Sequence, residues 1–224
     1  MKKLAVLGAT GKTGQQVLKL ALEEGFEVIA LCRNPLRLEL IHGHLQAVQA
    51  DVFSVDSLKS HFTGSEAVLS CLGRSVSYTR RESTFYCDTM KVITQAMREA
   101  GVRRLVCMTS WMTDYGLSEP GPFFTEWILK SFMRLTIGRI LDDMKQMERY
   151  LIDKCQDINY TIVRPPGLTN GPLSGRPVEC EVGQYVYSVS ISRILMSRAD
   201  VANFMLSTLK SFDFDQKTVA IAVK

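Results

Sequence analysis

The sequence is poor in the residues from which metal centres are built. It has three histidines, His42, His44 and His61, and none of its six cysteines forms a C-x-x-C pair. A zinc site or a thioredoxin-like dithiol therefore has no support. All three histidines fall in segments far from the expected reaction centre, so we expect neither a metal nor a catalytic histidine.

Long apolar runs and strong charge are also missing. No uninterrupted apolar stretch approaches the ~20 residues that a membrane-spanning helix needs. The net charge of +4, from 27 basic and 23 acidic residues, is too small to favour nucleic-acid binding. Cys32, Cys71 and Cys107 lie in apolar runs and are expected to be buried free thiols, which suit a reducing compartment. We expect a cytoplasmic protein that binds neither nucleic acid nor membranes.

Strand-like apolar runs alternate with segments of helical periodicity along the chain. The predicted strands are Lys3–Leu7, Glu27–Leu31, Gln46–Ala50, Ala67–Leu72, Arg104–Met108, Tyr160–Val163 and Thr218–Val223. The predicted helices are Thr13–Glu24, Val55–Phe62, Ser83–Ala100, Glu126–Lys154 (with a break near Gly138) and Ala199–Leu209. This alternation indicates a doubly wound parallel sheet flanked by helices, a Rossmann-type α/β fold. We expect one domain over residues 1–224, with a substrate region formed by about 111–141 and 165–198.

A glycine-rich segment follows the first strand and opens the first helix. Three glycines at this spacing allow a tight turn, close approach of a pyrophosphate and close packing of the helix. The helix dipole and its first N–H groups then face the phosphates. A P-loop would need glycine where Val6 stands, so an NTPase is rejected, and a tight turn without a ligand is the remaining alternative. The expected dinucleotide-binding residues are Gly8, Thr10, Gly11, Lys12, Thr13 and Gly14.

The end of the second strand predicts which dinucleotide binds. NAD-binding proteins carry an acidic residue there for the ribose hydroxyls, whereas this chain has Arg33. A guanidinium matches a phosphate dianion, so Arg33, with Arg37 as a second partner, predicts NADP(H). The alternative for Arg33 is an exposed surface arginine. Asp51 and Val52, after the third strand, are predicted to contact the adenine.

Four further stretches support a resemblance to a known family. They are Val68–Gly73, Met108–Ser110, Tyr160–Gly167 and Ser197–Ala202. Together with the glycine-rich segment they resemble the atypical short-chain dehydrogenases/reductases with an NmrA-like NADP-binding domain, and among these the flavin and biliverdin-IXβ reductases. The resemblance implies hydride transfer from NADPH to a flavin or a linear tetrapyrrole. The same family contains sensors that bind NADP and catalyse nothing. One departure is Gly167, where those reductases carry a histidine, and another is a longer segment after Ser110.

The carboxyl ends of the later strands are expected to surround the nicotinamide, since open α/β sheets bind ligands along that edge. The resemblance places Val68–Gly73 beneath the nicotinamide and Met108–Ser110 at the end of the fifth strand. A double proline is expected to leave carbonyl oxygens free for the carboxamide. The predicted cofactor contacts here are Leu72, Gly73, Arg74, Thr109, Pro165, Pro166, Gly167 and Leu168, with Ser75 as a further phosphate contact.

The sequence offers two sets of catalytic candidates. Tyr150 and Lys154 match the Tyr-x-x-x-Lys pair of ordinary short-chain dehydrogenases, but they stand only about ten residues before the sixth strand. At ~1.5 Å per helical residue, Tyr150 is then expected over 10 Å from the nicotinamide, which argues against this pair. We predict Ser110 at the reacting centre and Lys145 near the nicotinamide ribose, against the alternatives of a locally bonded serine and an exposed lysine.

A segment rich in aromatic side chains follows Ser110. It includes Trp111, Phe123, Phe124, Trp127, Phe132 and Met133. Two interpretations of this segment are equally open. It forms a lid over the substrate, or it packs in the core or at a dimer interface.

Without a tyrosine–lysine pair, the acceptor should be one that needs little help from a protein acid. Flavins and bilins are acceptors of this kind. The sequence therefore predicts an NADPH-dependent reductase of a flavin or bilin. A sensor that binds NADP(H) without catalysis and a quinone or carbonyl reductase are the alternatives. We expect a small-molecule substrate and a monomer or dimer.

Overall fold

A computed structural model describes residues 2–73, 84–114, 126–183, 185–186 and 195–224 of the 224-residue chain. The strands are β1 Lys3–Leu7, β2 Glu27–Cys32, β3 Leu45–Gln49, β4 Ala67–Ser70, β5 Arg104–Met108, β6 Asn159–Arg164, β7 Gly167–Thr169, β8 Val178–Val182, β9 Leu195–Ser197 and β10 Lys217–Val223. The helices are α1 Lys12–Glu23, α2 Val55–Phe62, α3 Phe85–Ala100, α4 Glu126–Lys154 and α5 Arg198–Ser207.

The central sheet has the strand order β3-β2-β1-β4-β5-β6-β10-β8. Its first seven strands pair in parallel, and β8 runs antiparallel to β10 at one edge. The fold predicted from the alternating pattern is therefore confirmed. The direction of winding reverses between β1 and β4, and a ligand crevice is expected outside the carboxyl ends of these two strands.

Both faces of the sheet are buried at its central strands, which explains the continuous apolar character of those strands. Alternate residues of β1 point to opposite faces. Ala5 and Leu7 pack in the core formed with α2, α3 and α4. Leu4 and Val6 pack in the second core, formed with α1 and α5. Every crossover helix thus covers apolar strand residues, and the carboxyl edge is left to the loops.

Three strands were not predicted. β7 and β9 have three residues each and pair in parallel in a small sheet of their own, too short to show a period in the sequence. β8 is an edge strand with half-buried and exposed residues, so its apolar signal is weak. The predicted break in α4 near Gly138 is wrong, because α4 runs from Glu126 to Lys154 without interruption.

Candidate functional site

The glycine turn lies against the end of β4. Gly8 has φ +72°, and a Cβ placed on it would come within 2.4 Å of the carbonyl oxygen of Cys71. A Cβ on Gly14 would come within 2.2 Å of the carbonyl oxygen of Gly8. Neither position therefore accepts a side chain without movement of the backbone. The turn is held at the switch point between β1 and β4, where the sequence predicted a cradle for a dinucleotide.

The first turn of α1 is open to an anion. Gly11 is the N-cap, no side chain caps the helix, and its first turn has no acidic residue. The first N–H groups of a helix lack acceptors within the helix, and the helix dipole favours negative charge at this end. Lys12 is exposed beside them, whereas Thr13 is buried and Thr10 half-buried. The carbonyl of Thr10 accepts a bond from Gln15 Nε2 at 3.3 Å.

A cavity of about 410 Å³ lies at the ends of β2 and β3. It is lined by Arg33, Gln49, Ala50, Asp51 and Ser57. The structure thus brings together Arg33 and Asp51, which the sequence predicted to contact the adenosine half of NADP. The cavity lining does not include Arg37, which is exposed in the 3-10 turn Pro35–Arg37, or the half-buried Val52. Their predicted roles remain predictions.

The loop after β3 is shaped by short local hydrogen bonds. The Asp51 N–H donates to Ser57 Oγ at 3.0 Å, and Asp51 Oδ1 accepts from the Phe53 N–H at 3.0 Å. Gln49 and Ser57 were missed by the sequence reasoning. The pairing of Gln49 with Cys32, the residue before Arg33, is the signal that would have placed Gln49 beside the cavity.

Leu72 and Gly73 follow β4 directly beyond Cys71, which touches the glycine turn. Leu72 is half-buried and Gly73 is exposed. Their predicted place beneath the nicotinamide is compatible with this position and remains a prediction. Arg74 and Ser75 lie outside the described residues.

A buried polar network joins the carboxyl ends of β5 and β6. Glu148, on α4, accepts from Thr109 Oγ1 at 2.6 Å and from Thr113 Oγ1 at 3.3 Å. Arg164 at the end of β6 donates to both carboxylate oxygens of Glu148, at 3.1 and 2.5 Å, and to the Gly183 carbonyl at 3.0 Å. The hydroxyl of Thr109 is therefore committed to Glu148, and its predicted cofactor contact remains a prediction.

Sequence reasoning missed Glu148 and Arg164. They stand on different elements and form no local motif, so only the packing of α4 on the sheet brings them together. Glu148 stands on a long helix with many charged residues, where a glutamate is expected to be exposed to solvent.

Ser110 and Lys145, the predicted catalytic residues, are both half-buried. The carbonyl of Ser110 accepts from the Thr113 N–H at 3.4 Å and from the Thr113 hydroxyl at 3.2 Å. Lys145 precedes Glu148 by three residues on α4, so the two lie on nearly the same side of the helix. The structure thus associates Lys145 with the helix that braces β5, and both catalytic roles remain predictions.

The double proline forms a wall beside β5. Pro165 and Pro166 are buried, Leu168 is half-buried, and the exposed Gly167 begins β7. The Pro165 carbonyl accepts from the Trp111 N–H at 3.1 Å. That carbonyl oxygen already accepts one hydrogen bond within the protein and keeps a second lone pair, so the predicted contact of the double proline with the carboxamide remains a prediction.

The start of α5 is bonded to the loop that follows β7. Ser197 Oγ accepts from the Asp200 N–H at 3.0 Å and donates to Asp200 Oδ2 at 2.7 Å. Asp200 Oδ1 accepts from the N–H and the hydroxyl of Ser174, at 2.9 and 3.0 Å. The Ser197–Ala202 stretch that carried part of the family resemblance thus caps α5 and ties down the loop that follows β7.

The Tyr150 side chain faces α3, which also contacts the backbone of Lys154. The Tyr150 hydroxyl is 3.0 Å from Thr94 Oγ1 in the middle of α3, and the Lys154 carbonyl accepts from Arg98 Nη2 at 3.3 Å. Asp143, about two helical turns closer to the carboxyl edge, accepts the Tyr86 and Cys87 N–H groups at 2.8 and 3.0 Å, at the start of α3. The two helices therefore run side by side, and Tyr150 lies about 10 Å of helix below the level of Asp143.

The predicted buried thiols are buried in the structure. Cys32, Cys71 and Cys107 are free and buried, while Cys180 is exposed on β8. Burial raises the pKa of Cys71 to about 12, and burial with the nearby Glu148 carboxylate raises the pKa of Cys107. A protonated thiol is a poor nucleophile, so these two side chains serve packing.

The aromatic segment is described only in part. Trp111 is buried and its Nε1 donates to the Ile221 carbonyl at 3.1 Å, which fixes it in the core against Tyr185. Phe123 and Phe124 lie outside the described residues, as do the side chains of Trp127, Phe132 and Met133. The lid and the packing interpretations both stay open for them.

The described part of the chain contains neither a metal site nor a membrane-spanning helix. No group of three or more His, Cys, Asp or Glu side chains there is arranged to hold a metal ion. No helix there has both the length and the apolar character needed to cross a bilayer.

Comparison with known proteins gives a family for this site. A family model described as NAD(P)H-binding matches residues 8–211. The chain belongs to this NAD(P)H-binding family. An uncharacterized chloroplastic protein of Arabidopsis thaliana is 30% identical over 208 residues, which cover 89% of this chain and 71% of that protein. The chain is thus an NAD(P)H-binding enzyme of the oxidoreductase class.

Two further relatives are informative. Oxidoreductase aflX of Aspergillus parasiticus is 22% identical over 231 residues, which cover 97% of this chain and 80% of that protein. A short-chain dehydrogenase/reductase of Veillonella parvula, solved in complex with NADP, superimposes with a TM-score of 0.72 at 19% identity, covering 98% of this chain and 94% of that one. The chloroplastic relative means that the cytoplasmic location stays a prediction.

Proposed function

We propose that this protein is an NADPH-dependent reductase that transfers hydride to an extended conjugated acceptor of the flavin or bilin type. The observation that supports the cofactor preference is the cavity at the ends of β2 and β3, whose lining includes Arg33 and Asp51. A guanidinium there favours the 2′-phosphate of NADP, whereas a carboxylate would favour the ribose hydroxyls of NAD.

Two hydroxyl groups that could serve as a protein acid are already engaged within the protein. Among the described residues, the Tyr150 hydroxyl is paired with Thr94 and the Thr109 hydroxyl with Glu148. Neither is free to protonate a substrate oxygen. An acceptor whose ring system stabilises the added electron pair, and takes its proton from water, suits such a site better than a simple ketone.

The protein's task is then to bind and orient. The reduced nicotinamide, when bound, supplies the hydride. The glycine turn and the first turn of α1 hold the phosphates, and Arg33 holds the adenosine end. The wall of Pro165 and Pro166 excludes water on one side. Ser110 and Lys145 are placed at the reacting centre and the nicotinamide ribose in this proposal.

The test is the initial rate of NADPH oxidation under anaerobic conditions with FMN, biliverdin or a quinone as acceptor. The proposal predicts turnover with FMN or biliverdin, and a kcat/KM for NADPH well above that for NADH. Arg33→Ala should remove this preference. Arg176→Ala, an exposed arginine outside the cavity lining, is the matched control and should keep it.

Each other outcome rejects the proposal in a defined way. Turnover with the quinone alone would make the protein a quinone reductase. Tight NADPH binding with no turnover on any acceptor would favour a sensor that acts through a protein partner.

A further inference from the structure

Ser110 stands on a backbone that is fixed on both sides. The Thr109 N–H donates to the Val163 carbonyl at 2.9 Å, and the Trp111 N–H donates to the Pro165 carbonyl at 3.1 Å. The residues before and after Ser110 are thus bonded to β6 and to the double proline. Any shift between β5 and β6 would move Ser110 relative to that wall.

The Glu148 carboxylate adds side-chain bonds that tie these elements together. It bonds Thr109 at the end of β5, Thr113 in the following turn and Arg164 at the end of β6. Arg164 extends the connection to the Gly183 carbonyl beyond β8. One side chain from α4 therefore bonds three of these segments directly and a fourth through Arg164.

Stability alone is a weak reason for this arrangement. The Glu148 and Arg164 side chains are only 3% and 11% exposed. Removing two charges from water is costly, and buried ion pairs are often no better for stability than apolar residues of similar volume. Their value in fixing one geometry is the better explanation where the segments they join frame a reaction centre.

From this geometry we infer that Glu148, with Arg164, is a positioning residue for the reaction, which acts through Thr109 to hold Ser110 and the Pro165–Pro166 wall in register with the nicotinamide. The inference rests on the proposed function for the place of the nicotinamide. It assigns Glu148 no contact with substrate or cofactor.

The same strand offers a matched control at its other end. Arg104, the first residue of β5, forms an ion pair with Asp215, and its Nη2 also donates to the Thr208 carbonyl at 2.7 Å. This second ion pair ties β5 at the amino edge of the sheet, far from the site. Asp215→Asn should weaken the packing of β5 without moving Ser110.

The experiment compares Glu148→Gln with Asp215→Asn, using the bound NADPH fluorescence as a readout that needs no acceptor. Glu148→Gln should keep the NADPH Kd within about twofold, while the emission gained on binding falls because the ring is held less firmly. With an acceptor, kcat should fall at least about tenfold with little change in the KM for NADPH. Asp215→Asn should leave emission and kcat unchanged.

Thr109→Val is the second variant and removes only the link between the ion pair and β5. It should lower emission and kcat as Glu148→Gln does, and the double variant should lose no more than the larger single one, because in this proposal Glu148 acts on Ser110 through Thr109. If Glu148→Gln does not fold, Thr109→Val decides.

Unchanged emission and kcat in the folded variants would overturn the inference. So would losses that Asp215→Asn reproduces, since these would show a general effect on stability. A protein that reduces no acceptor would refute the proposed function, while the fluorescence comparison would still test the positioning role.

Discussion

The two sides of the sheet's carboxyl edge hold their polar side chains in opposite ways. Around the cavity at β2 and β3, Arg33, Gln49 and Asp51 are exposed. Beside β5 and β6, Glu148 and Arg164 are buried and bonded to each other. The first side leaves its groups accessible, and the second uses its groups to fix the protein. Substitutions should therefore change ligand affinity on the first side, and stability or geometry on the second.

Gly14→Ala should have the largest effect. The new Cβ would come within 2.2 Å of the Gly8 carbonyl oxygen, which is backbone and cannot swing aside. We expect the free energy of unfolding to fall by about 3 kcal/mol and NADPH binding to be lost. Urea denaturation and fluorescence titration measure the two effects. Gly43→Ala, which would meet no atom within 4 Å, is the control. Wild-type affinity in Gly14→Ala would show that the glycine turn does not hold the cofactor.

Asp200→Ala tests the buried side of the comparison. Its carboxylate accepts from Ser174 and Ser197, so their donors would lose a buried partner. We expect a loss of about 2 kcal/mol in the free energy of unfolding. Asp200→Asn keeps one oxygen acceptor and should lose less. If the free energy of unfolding of the alanine variant fell by less than about 0.5 kcal/mol, buried polar groups would matter no more for stability than exposed ones.

Tyr150→Phe separates a structural from a catalytic tyrosine. It removes the bond with Thr94 and should cost about 1 kcal/mol of stability. Steady-state kinetics should give an unchanged kcat and KM, because the hydroxyl faces α3. A large fall in kcat without a loss of stability would instead make Tyr150 and Lys154 the catalytic pair.

Asp51→Ala should have the smallest effect on stability, within about 0.5 kcal/mol, since the side chain is exposed. The affinities for NADPH and NADH should fall together by a few-fold, because both cofactors carry the same adenine. A loss of affinity for NADPH alone would indicate that Asp51 acts near the 2′-phosphate rather than at the adenine.

The first half of the fold was readable from the sequence. Strand, glycine turn and helix follow one another within 24 residues of the start, and local patterns suffice for β1, α1 and β2. Arg33 and Asp51 could be predicted to meet because each follows one of two neighbouring parallel strands. Their shared cavity follows from the pairing of β2 with β3.

The second half depends on contacts between distant elements. Glu148 meets Thr109 and Arg164 only because α4 packs on the face of the sheet, and no periodicity encodes that meeting. The Tyr150–Lys154 pattern shows the reverse case, in which a local motif matches but the helix presents it to α3. β7 and β9 were missed because three residues cannot show a period of two.

The central claim is that Arg33 selects NADPH, and paired dissociation constants test it most directly. The Kd values for NADPH and NADH would be measured by titration for the wild type, Arg33→Ala and Arg176→Ala. The account predicts that Arg33→Ala weakens NADPH binding by about 10- to 100-fold, the worth of a charged hydrogen bond, with NADH binding and the control unchanged. Equal weakening of both cofactors, or no weakening of either, would contradict it.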